Sequence, residues 1–284
     1  MHLVTGATGP VGRALVDALL ADGAAVRAIS RDPSAAGLPA GADVVEGDPR
    51  KPGTLALHGA STLFVHPRAV GEEAVDPLLA AAAEQGVRRV VVMSAINVED
   101  EPAHQPSRFN GDRNKEVEDA VVRGPLPWVS VRPSSFALNA LTMWAGQIRA
   151  GDVVRGPYAS FAEAFVHEKD VAELIARALR DETLDGRHLP VTGPRSLTHA
   201  EAVTVIGEVL GRPLRHEEIP AEAAARAMVG PGGLPEPFVE ALMARYARGE
   251  GRPAAVAGQP GGRTFAQWVA DHAADFGGER GEGR

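Results

Sequence analysis

The sequence predicts an α/β protein in which helices cover both faces of a doubly wound parallel sheet. Three observations carry this prediction. Short β-branched runs alternate with helical patterns, a glycine-rich segment follows the first run, and Val90–Met93 is an unbroken apolar run. A continuous apolar strand is expected where a sheet is covered on both faces. Together they indicate a Rossmann-type sheet.

The first half of the chain has the rhythm of right-handed βαβ units. Pro10–Ala21, for example, carries apolar side chains at helical spacing, including Val11, Leu15 and Leu19. The predicted strands are His2–Thr5, Ala25–Ser30, Asp43–Glu46, Leu63–His66, Arg89–Ser94 and Trp128–Arg132. The predicted helices are Pro10–Ala21, Leu78–Gln85 and Asn110–Arg123.

The rhythm changes after Pro133, where helical patterns separated by Gly/Pro loops dominate. The predicted helices are Ser134–Ala150, Glu168–Arg180, His199–Leu210, Ala221–Met228 and Glu236–Ala247. We therefore expect a nucleotide-binding core over 1–133. A smaller, mostly helical substrate lobe over 134–276, interleaved with the end of the core sheet, and a disordered tail over 277–284 complete the prediction.

Composition excludes several classes of protein. The 284 residues contain no cysteine, so disulfides, thiolate metal ligands and iron–sulfur clusters are excluded. The histidines show no metal-ligand spacing. A net charge of −8 argues against a nucleic-acid partner. No run approaches the roughly 20 apolar residues of a membrane span, and a strand begins at His2. We expect a cytoplasmic monomer or homodimer that acts on a small molecule.

A glycine motif lies between the first strand and the first helix. This context favours dinucleotide binding over an ordinary tight turn, because the glycines let a pyrophosphate approach the start of the helix. The residues expected to hold the phosphates are Gly6, Thr8, Gly9, Pro10, Val11 and Gly12.

The end of the second strand predicts which dinucleotide is bound. The position of the carboxylate that binds the ribose in NAD proteins holds Ser30 and Arg31. Arg31 can pair with the 2′-phosphate of NADP, so we favour NADP over NAD. The alternative is a solvated surface arginine. Asp32, which follows, is expected to start a turn.

The ends of the third and fourth strands add further contacts to the cofactor. Gly47 and Asp48 close the third strand, where the Asp48 carboxylate could accept a hydrogen bond from the adenine amino group or could simply stabilise a turn. His66 ends the fourth strand at the carboxyl edge of the sheet, where ligands of such sheets bind. We expect His66 to be a wall of the site rather than a proton donor.

These residues together resemble the NmrA-like branch of the atypical short-chain dehydrogenase/reductases, over about residues 1–250. The motifs that carry the likeness are T-G-A-T-G-x-V-G at Thr5–Gly12, S-R-D-P at Ser30–Pro33, N-K at Asn114–Lys115 and R-P-x-x-F at Arg132–Phe136. The resemblance implies an NAD(P)H-dependent reductase, although the branch also contains dinucleotide sensors. Most of the superfamily uses Tyr-x-x-x-Lys, but Gly111 precedes Lys115 here, so that proton relay is absent.

Lys115 and three segments around it are candidates for the nicotinamide end of the site. Lys115 could hold the ribose, or act as a general acid if its pKa is lowered, or it could only pair with Asp119. Ser94 could face the nicotinamide or make a local hydrogen bond. Pro133 and Phe136 are expected against the nicotinamide ring, although Phe136 could equally be core.

The substrate wall is expected from polar and aromatic residues, most of them beyond Pro133. The candidates are Asn97, Asn139, Met143, Trp144, Tyr158, Phe161 and His167. Aromatic residues at helical spacing are more often core than pocket. Tyr158 and His167 are the alternative proton donors, and His167 could instead only pack at a helix start.

The sequence thus predicts an NADPH-dependent reductase of a small apolar conjugated acceptor, such as a quinone, enone, imine or carbonyl. NADPH supplies the chemistry and the fold supplies position, so a missing tyrosine does not exclude reduction. The alternative is a non-catalytic NAD(P) sensor that binds a protein partner.

Overall fold

The computed structural model describes residues 1–230, 233–256 and 262–277. The chain forms two compact units, each assembled from separate segments. The first comprises Met1–Glu99, Gly111–Pro133 and Glu168–Pro190. The second comprises Asp100–Asn110, Ser134–His167 and the described part of Val191–Arg284. The chain therefore crosses between the units several times. The sequence predicted a division near Pro133, with the later lobe interleaved with the end of the core sheet.

A seven-stranded sheet is the centre of the first unit. Its strands are β1 (His2–Val4), β2 (Val26–Ser30), β3 (Asp43–Glu46), β4 (Thr62–Val65), β5 (Arg89–Met93) and β6 (Trp128–Pro133), with a later strand at Arg187–Val191. The order is β3-β2-β1-β4-β5-β6, with the later strand beside β6, and the pairs from β3 to β6 are parallel. This order confirms the predicted Rossmann-type fold.

Helices cover this sheet because their apolar stripes match its buried faces. They are α1 (Pro10–Ala21), α2 (Pro67–Val70), α3 (Glu72–Glu84), α4 (Asn114–Arg123) and a helix over Glu168–Ala178. Leu78 and Leu79 of α3 pack with Val90 of β5 and Val117 of α4 in one core cluster. The helix over Glu168–Ala178 packs against α1, so this segment of the predicted second lobe completes the first unit.

The second unit is mostly helical. In chain order, the first unit's helix over Glu168–Ala178 is α6 and its last strand, Arg187–Val191, is β9. The elements of the second unit are α5 (Gly146–Ala150), β7 (Val153–Gly156), β8 (Ala162–Glu163), β10 (Leu197–Thr198), α7 (His199–Leu210), β11 (Arg215–Glu218), α8 (Ala221–Val229), α9 (Glu236–Gly249) and α10 (Phe265–Asp271). Its core contains Trp144, Phe165, Phe265 and Trp268. A capping box between Thr198 and Glu201 starts α7.

The helix predicted over Ser134–Ala150 is wrong in its first part. Phe136 forms an isolated β-bridge with Val166, and Ala137 and Leu138 form a turn, so the chain is not helical directly after β6. A π-helical turn over Leu141–Ala145 and α5 follow. Sequence periodicity does not show this, because the bridge partner lies 30 residues away. Short strands such as β7 and β11 were also missed.

Some predictions fall on residues that the structure does not describe. The predicted tail lies outside the described residues beyond Gly277, as do Pro231, Gly232 and most of the loop at 258–262. Within the described residues, no helix combines the length and the apolar composition needed to cross a membrane.

Candidate functional site

The glycine motif forms a tight turn that leads directly into α1. Gly6 has a φ of +65°, which favours glycine. A Cβ on Gly12 would lie 2.1 Å from the Gly6 carbonyl oxygen and 2.7 Å from the Ala7 Cα. Only glycine therefore allows α1 to begin this close to the turn.

The start of α1 is available to an anion. Gly9 is its N-cap, no side chain caps the first turn, and no acidic residue lies there. The first N–H groups of a helix lack partners within it, and the helix dipole adds positive potential. A pyrophosphate fits these donors, so the turn suits the diphosphate of a dinucleotide.

Two side chains fix the turn in place. The Thr5 hydroxyl donates to the Phe64 carbonyl at 2.9 Å and accepts from the His66 N–H at 2.9 Å, which ties β1 to the end of β4. Arg13 donates to the Thr8 carbonyl at 2.9 Å and to the Gly37 carbonyl at 2.7 Å. Arg13 thus joins the glycine turn to the loop that follows β2.

A cavity of about 370 Å³ opens at the ends of β2 and β3. Among the residues that line it, Arg31 and Lys51 are exposed cations. No hydrogen-bond or ion-pair partner of either side chain occurs in the part of the chain that the structure describes. Sequence reasoning selected Arg31, but it missed Lys51. The position of Lys51, in the turn that follows Asp48, was the feature of the sequence that could have indicated it.

The neighbouring polar side chains stabilise turns. The Ser30 hydroxyl donates to the Asp32 carbonyl at 2.8 Å and accepts from the Asp32 N–H at 3.2 Å. Asp32 accepts from the hydroxyl and the N–H of Ser34, and these bonds lower its pKa. Its predicted turn role is therefore confirmed. Asp48 accepts from the Arg50 N–H at 3.1 Å, as its turn alternative required, and it also lines the cavity.

His66 is a buried wall beside the glycine turn. A Cβ added to Gly6 would lie 2.9 Å from the His66 Cβ. Burial lowers the pKa of His66, so the imidazole stays neutral near neutral pH. Its Nδ1 is buried without a hydrogen-bond partner in the described residues. A neutral ring suits the wall that the sequence predicted.

Lys115 lies in the first turn of α4, as predicted, but its surroundings differ from those expected of an acid. Its ammonium donates to Asp119 at 2.8 Å and lies 3.5 Å from a Glu99 carboxylate oxygen. The hydrogen bond to Asp119 raises the pKa of Lys115. The lowered pKa that the general-acid alternative requires is absent here, and the alternative pairing with Asp119 is present, so Lys115 is a stable cation near neutral pH.

A buried carboxylate that sequence reasoning missed organises the same edge. Glu118, on the buried side of α4, is 1% exposed. It accepts from the hydroxyls of Ser94 and Ser130, from Arg132 at 2.9 Å, and lies 2.9 Å from His188 Nδ1. The Ser94 hydroxyl donates its hydrogen bond to Glu118 Oε2 at 2.9 Å, inside the first unit. The sequence did contain a signal for this buried carboxylate, because Glu118 lies among the apolar positions of α4.

The second unit contains an aromatic cluster around Tyr246. The rings of Phe161, His199 and Tyr158 lie 4.6, 4.9 and 6.2 Å from that of Tyr246. Tyr158 has a φ of +52°, an uncommon value for a large residue. The Tyr246 hydroxyl is 3.8 Å from the Met143 sulfur, and burial raises its pKa. Tyr246 is therefore poorly suited to lose a proton.

The remaining predicted residues lie in varied surroundings. Trp144 is 3% exposed within the core of the second unit, as its alternative interpretation proposed. His167 is buried and lies 3.5 Å from an Asp271 carboxylate oxygen. Asn139 is exposed and Asn97 is half-buried. The Pro133 carbonyl accepts from the Ile96 N–H at 2.9 Å, which joins the ends of β5 and β6.

Comparison with known proteins assigns the family. A family model described as NAD(P)H-binding matches residues 6–182, which include the glycine turn, the cavity and Lys115. The chain belongs to this NAD(P)H-binding family. The match agrees with the predicted resemblance to the NmrA-like atypical short-chain dehydrogenase/reductases, which is confirmed.

Two curated relatives cover nearly the whole of this NAD(P)H-binding protein. A (4-alkanoyl-5-oxo-2,5-dihydrofuran-3-yl)methyl phosphate reductase of Streptomyces griseus is 37% identical, over 97% of this chain and 99% of the relative. An NAD(P)H azoreductase of Xenophilus azovorans is 31% identical, over 98% of this chain and 99% of the relative. The protein is thus an NAD(P)H-dependent oxidoreductase.

Solved structures show the same fold at lower identity. Citrobacter sp. triphenylmethane reductase in complex with NADP(H) aligns with a TM-score of 0.76 at 20% identity, over 95% of this chain and 99% of that one. An NADPH-dependent quinone oxidoreductase of Escherichia coli in complex with NADPH gives 0.76 at 20% identity, over 96% of this chain and 100% of that one. Within the described residues, no group of three or more potential metal-ligating side chains occurs.

Proposed function

We propose that this protein is an NADPH-dependent reductase that transfers a hydride to a small, mostly apolar, conjugated acceptor. The observation that carries the proposal is the pair of cations, Arg31 and Lys51, at the cavity beyond β2 and β3, neither of which has a side-chain partner among the described residues. This cavity lies in the same unit as the uncapped helix start at the glycine turn. Together they supply donors for a diphosphate and cations for a third phosphate.

The two cations of the cavity, Arg31 and Lys51, favour NADPH over NADH. A 2′-phosphate carries nearly two negative charges and accepts bidentate hydrogen bonds from a guanidinium. Glu46 and Asp48 also line the cavity, and Asp48 already binds the Arg50 N–H. The two carboxylates balance the two cations in number, but no ion pair joins them among the described residues, so both cations can turn to a phosphate. NADH has no 2′-phosphate that would use them.

The residues of this chain bind and orient the cofactor. NADPH, when bound, supplies the hydride. Lys115 stays protonated near neutral pH and would hold ribose hydroxyls by donating hydrogen bonds. Neutral His66 forms a wall beside the glycine turn. Gly111 replaces the tyrosine of the usual relay, so the acceptor takes its proton from water after hydride transfer.

The relatives support an electron-poor double bond as the acceptor. The Streptomyces griseus relative is named for a 5-oxo-2,5-dihydrofuran with an alkanoyl group, which contains a carbon–carbon double bond conjugated to carbonyls. The Xenophilus azovorans relative is named as an azoreductase. Both names describe electrophilic π-systems, so we place this chain's substrate among conjugated enones and related acceptors.

Oxidation of NADPH by the purified protein tests this function. We would screen 2-cyclohexenone, menadione, methyl red and a 4-alkanoyl-5-oxo-2,5-dihydrofuran-3-ylmethyl phosphate, and follow NADPH absorbance and the reduced product. Turnover of at least one conjugated acceptor, with NADPH preferred over NADH, is expected. Tight NADPH binding without turnover of any of the four would favour the sensor instead.

A further inference from the structure

A second cavity, of about 320 Å³, lies entirely within the second unit at the end of α9. Three arginines line it, Arg245 and Arg248 from the helix and Arg252 from the turn that follows. Residues three positions apart on a helix lie on the same side, which brings Arg245 and Arg248 to one wall. Nothing in the cofactor site uses these cations.

Arg245 is held in position by two hydrogen bonds. Its Nη1 donates to the Glu163 carboxylate at 2.8 Å, and its Nη2 donates to the Ser135 hydroxyl at 3.0 Å. Its guanidinium carbon lies 5.3 Å from the centre of the Phe161 ring. Glu163 is 4% exposed, and its negative charge cancels that of Arg245. The Arg245–Glu163 pair therefore forms a fixed wall of the cavity and adds no net positive charge to it.

Arg248 and Arg252 supply the positive charge. Both are exposed, and neither has a hydrogen-bond or ion-pair partner for its side chain among the residues that the structure describes. Asp100 is the carboxylate that lines the same cavity. Two unpaired guanidiniums face one carboxylate there, and this balance favours an anion with more than one oxygen.

The remaining walls are apolar and closely fitted. A Cβ on Gly249 would lie 2.5 Å from the Phe161 Cε2, so a glycine is needed where the helix reaches this ring. Pro253 and Ala254 line the cavity, and the Ala254 N–H donates to the Ser196 hydroxyl at 2.7 Å. The cavity therefore joins a cationic end to a fixed apolar surface.

We propose that this cavity binds the phosphate monoester of the substrate, with Arg248 and Arg252 on the phosphate and Phe161 against the apolar body next to it. The proposal rests on the proposed function, and it narrows the substrate to a conjugated acceptor that carries a phosphate. A neutral quinone or enone would leave both guanidiniums unused. The phosphate is a binding handle and takes no part in the hydride transfer.

Calorimetric titration of phenyl phosphate tests the site directly. The protein is first saturated with NADP⁺, so that the dinucleotide's own phosphate sites are filled. We expect phenyl phosphate to bind and phenol to bind far more weakly. R248Q and R252Q should each weaken phenyl phosphate binding about tenfold, because each removes a charge-assisted hydrogen bond. R226Q, which removes an exposed arginine of α8 outside the cavity, should bind as the wild type does.

Other results would overturn the proposal. If the wild type does not bind phenyl phosphate, or if R248Q and R252Q bind it like R226Q, the cavity is not a phosphate site. If Arg248 and Arg252 only stabilise the C-terminal end of α9, replacing them would lower the melting temperature and leave phenyl phosphate binding unchanged. All variants should retain the wild-type affinity for NADP⁺, which shows that they are folded.

Turnover separates this inference from the proposed function. With the phosphorylated dihydrofuran and its dephosphorylated alcohol as substrates, wild type should show a KM about tenfold or more lower for the phosphate, with kcat little changed. R248Q and R252Q should lose that difference. Phenyl phosphate binding without reduction of any acceptor would leave the phosphate site standing and refute the reductase. Equal KM values for the two substrates would refute the phosphate site alone.

Discussion

The guanidinium of Arg132 forms a bidentate pair with the carboxylate of Glu118, at 2.9 Å from Nε and 3.2 Å from Nη2. Arg132 is the last residue but one of β6, and Glu118 lies on the buried side of α4. Ser94 at the end of β5 donates to the same carboxylate. One carboxylate therefore joins two strand ends to the helix that carries Lys115.

Replacing Glu118 should destabilise the protein strongly. Glu118→Gln removes a buried charge and leaves Arg132, among the described residues, with the exposed Glu99 as its ionic partner. Losing one member of a buried pair costs about 3 kcal/mol or more. The midpoint of urea unfolding measures this loss. Glu84→Gln, an exposed residue of α3, is the matched control and should change the midpoint little. An unchanged midpoint in Glu118→Gln would show that the network is not stabilising.

Arg31 should decide the preference between cofactors. Arg31→Gln is expected to weaken NADPH binding about 10- to 100-fold and to leave NADH binding nearly unchanged, because only NADPH carries the 2′-phosphate. Parallel calorimetric titrations of both dinucleotides provide the measurement. Arg88→Gln, an exposed arginine outside the cavity, should affect neither. Equal losses for NADH and NADPH would contradict a 2′-phosphate contact.

Gly12→Ala should abolish tight dinucleotide binding. The new Cβ would lie 2.1 Å from the Gly6 carbonyl oxygen, and its three nearest atoms all belong to the backbone, so no side chain can move aside. The start of α1 must then shift, which displaces the N–H groups that face the diphosphate. Gly146→Ala in α5 is the control, since nothing lies within 4 Å of its added Cβ. A Gly12→Ala protein that binds NADPH like wild type would refute this geometry.

Lys115 should act as a permanent cation over the neutral range. Its pKa is raised by the hydrogen bond to Asp119, so it deprotonates only above its usual value of about 10.4. Lys115→Gln should weaken NADPH binding by a similar factor at every pH from about 6 to 9, and Lys115→Arg should restore much of it. If the difference in NADPH affinity between wild type and Lys115→Gln disappeared within this pH range, Lys115 would titrate there. No loss of either affinity or turnover in Lys115→Gln would remove Lys115 from the site.

His66 should make the folded state less stable in mild acid. Its pKa is lowered by burial, with Asp112 opposing and Arg68 reinforcing the shift. Below about pH 6.5, His66 is protonated in the unfolded chain but stays neutral in the folded protein. The free energy of unfolding therefore falls as the pH decreases, and it levels off below the pKa of folded His66. Unfolding midpoints of wild type and His66→Gln between about pH 5 and 8 test this. The variant should lose less stability on acidification, and an equal loss in both proteins would contradict the prediction.

The sequence by itself determined the sheet and the cofactor turn. Adjacent residues carry these signals: the glycines of Thr5–Gly12, the apolar run in β5, and Arg31 immediately after β2. Periodicity and turn chemistry act over a few residues, so reading them needs no knowledge of distant contacts. Helices α1 and α7 were predicted at their observed bounds for the same reason.

Tertiary structure alone decided the contacts that join distant segments. The bridge between Phe136 and Val166 lies where a helix was predicted. Asp119 and Glu99 raise the pKa of Lys115, which decides against the general-acid alternative. Glu118 gains its partners only when three strands and a helix meet around it. The cavity at Arg245, Arg248 and Arg252 likewise needs Phe161 and Asp100, which lie far away in the sequence. Charges and pKa values depend on what folding brings near, and local sequence does not contain that information.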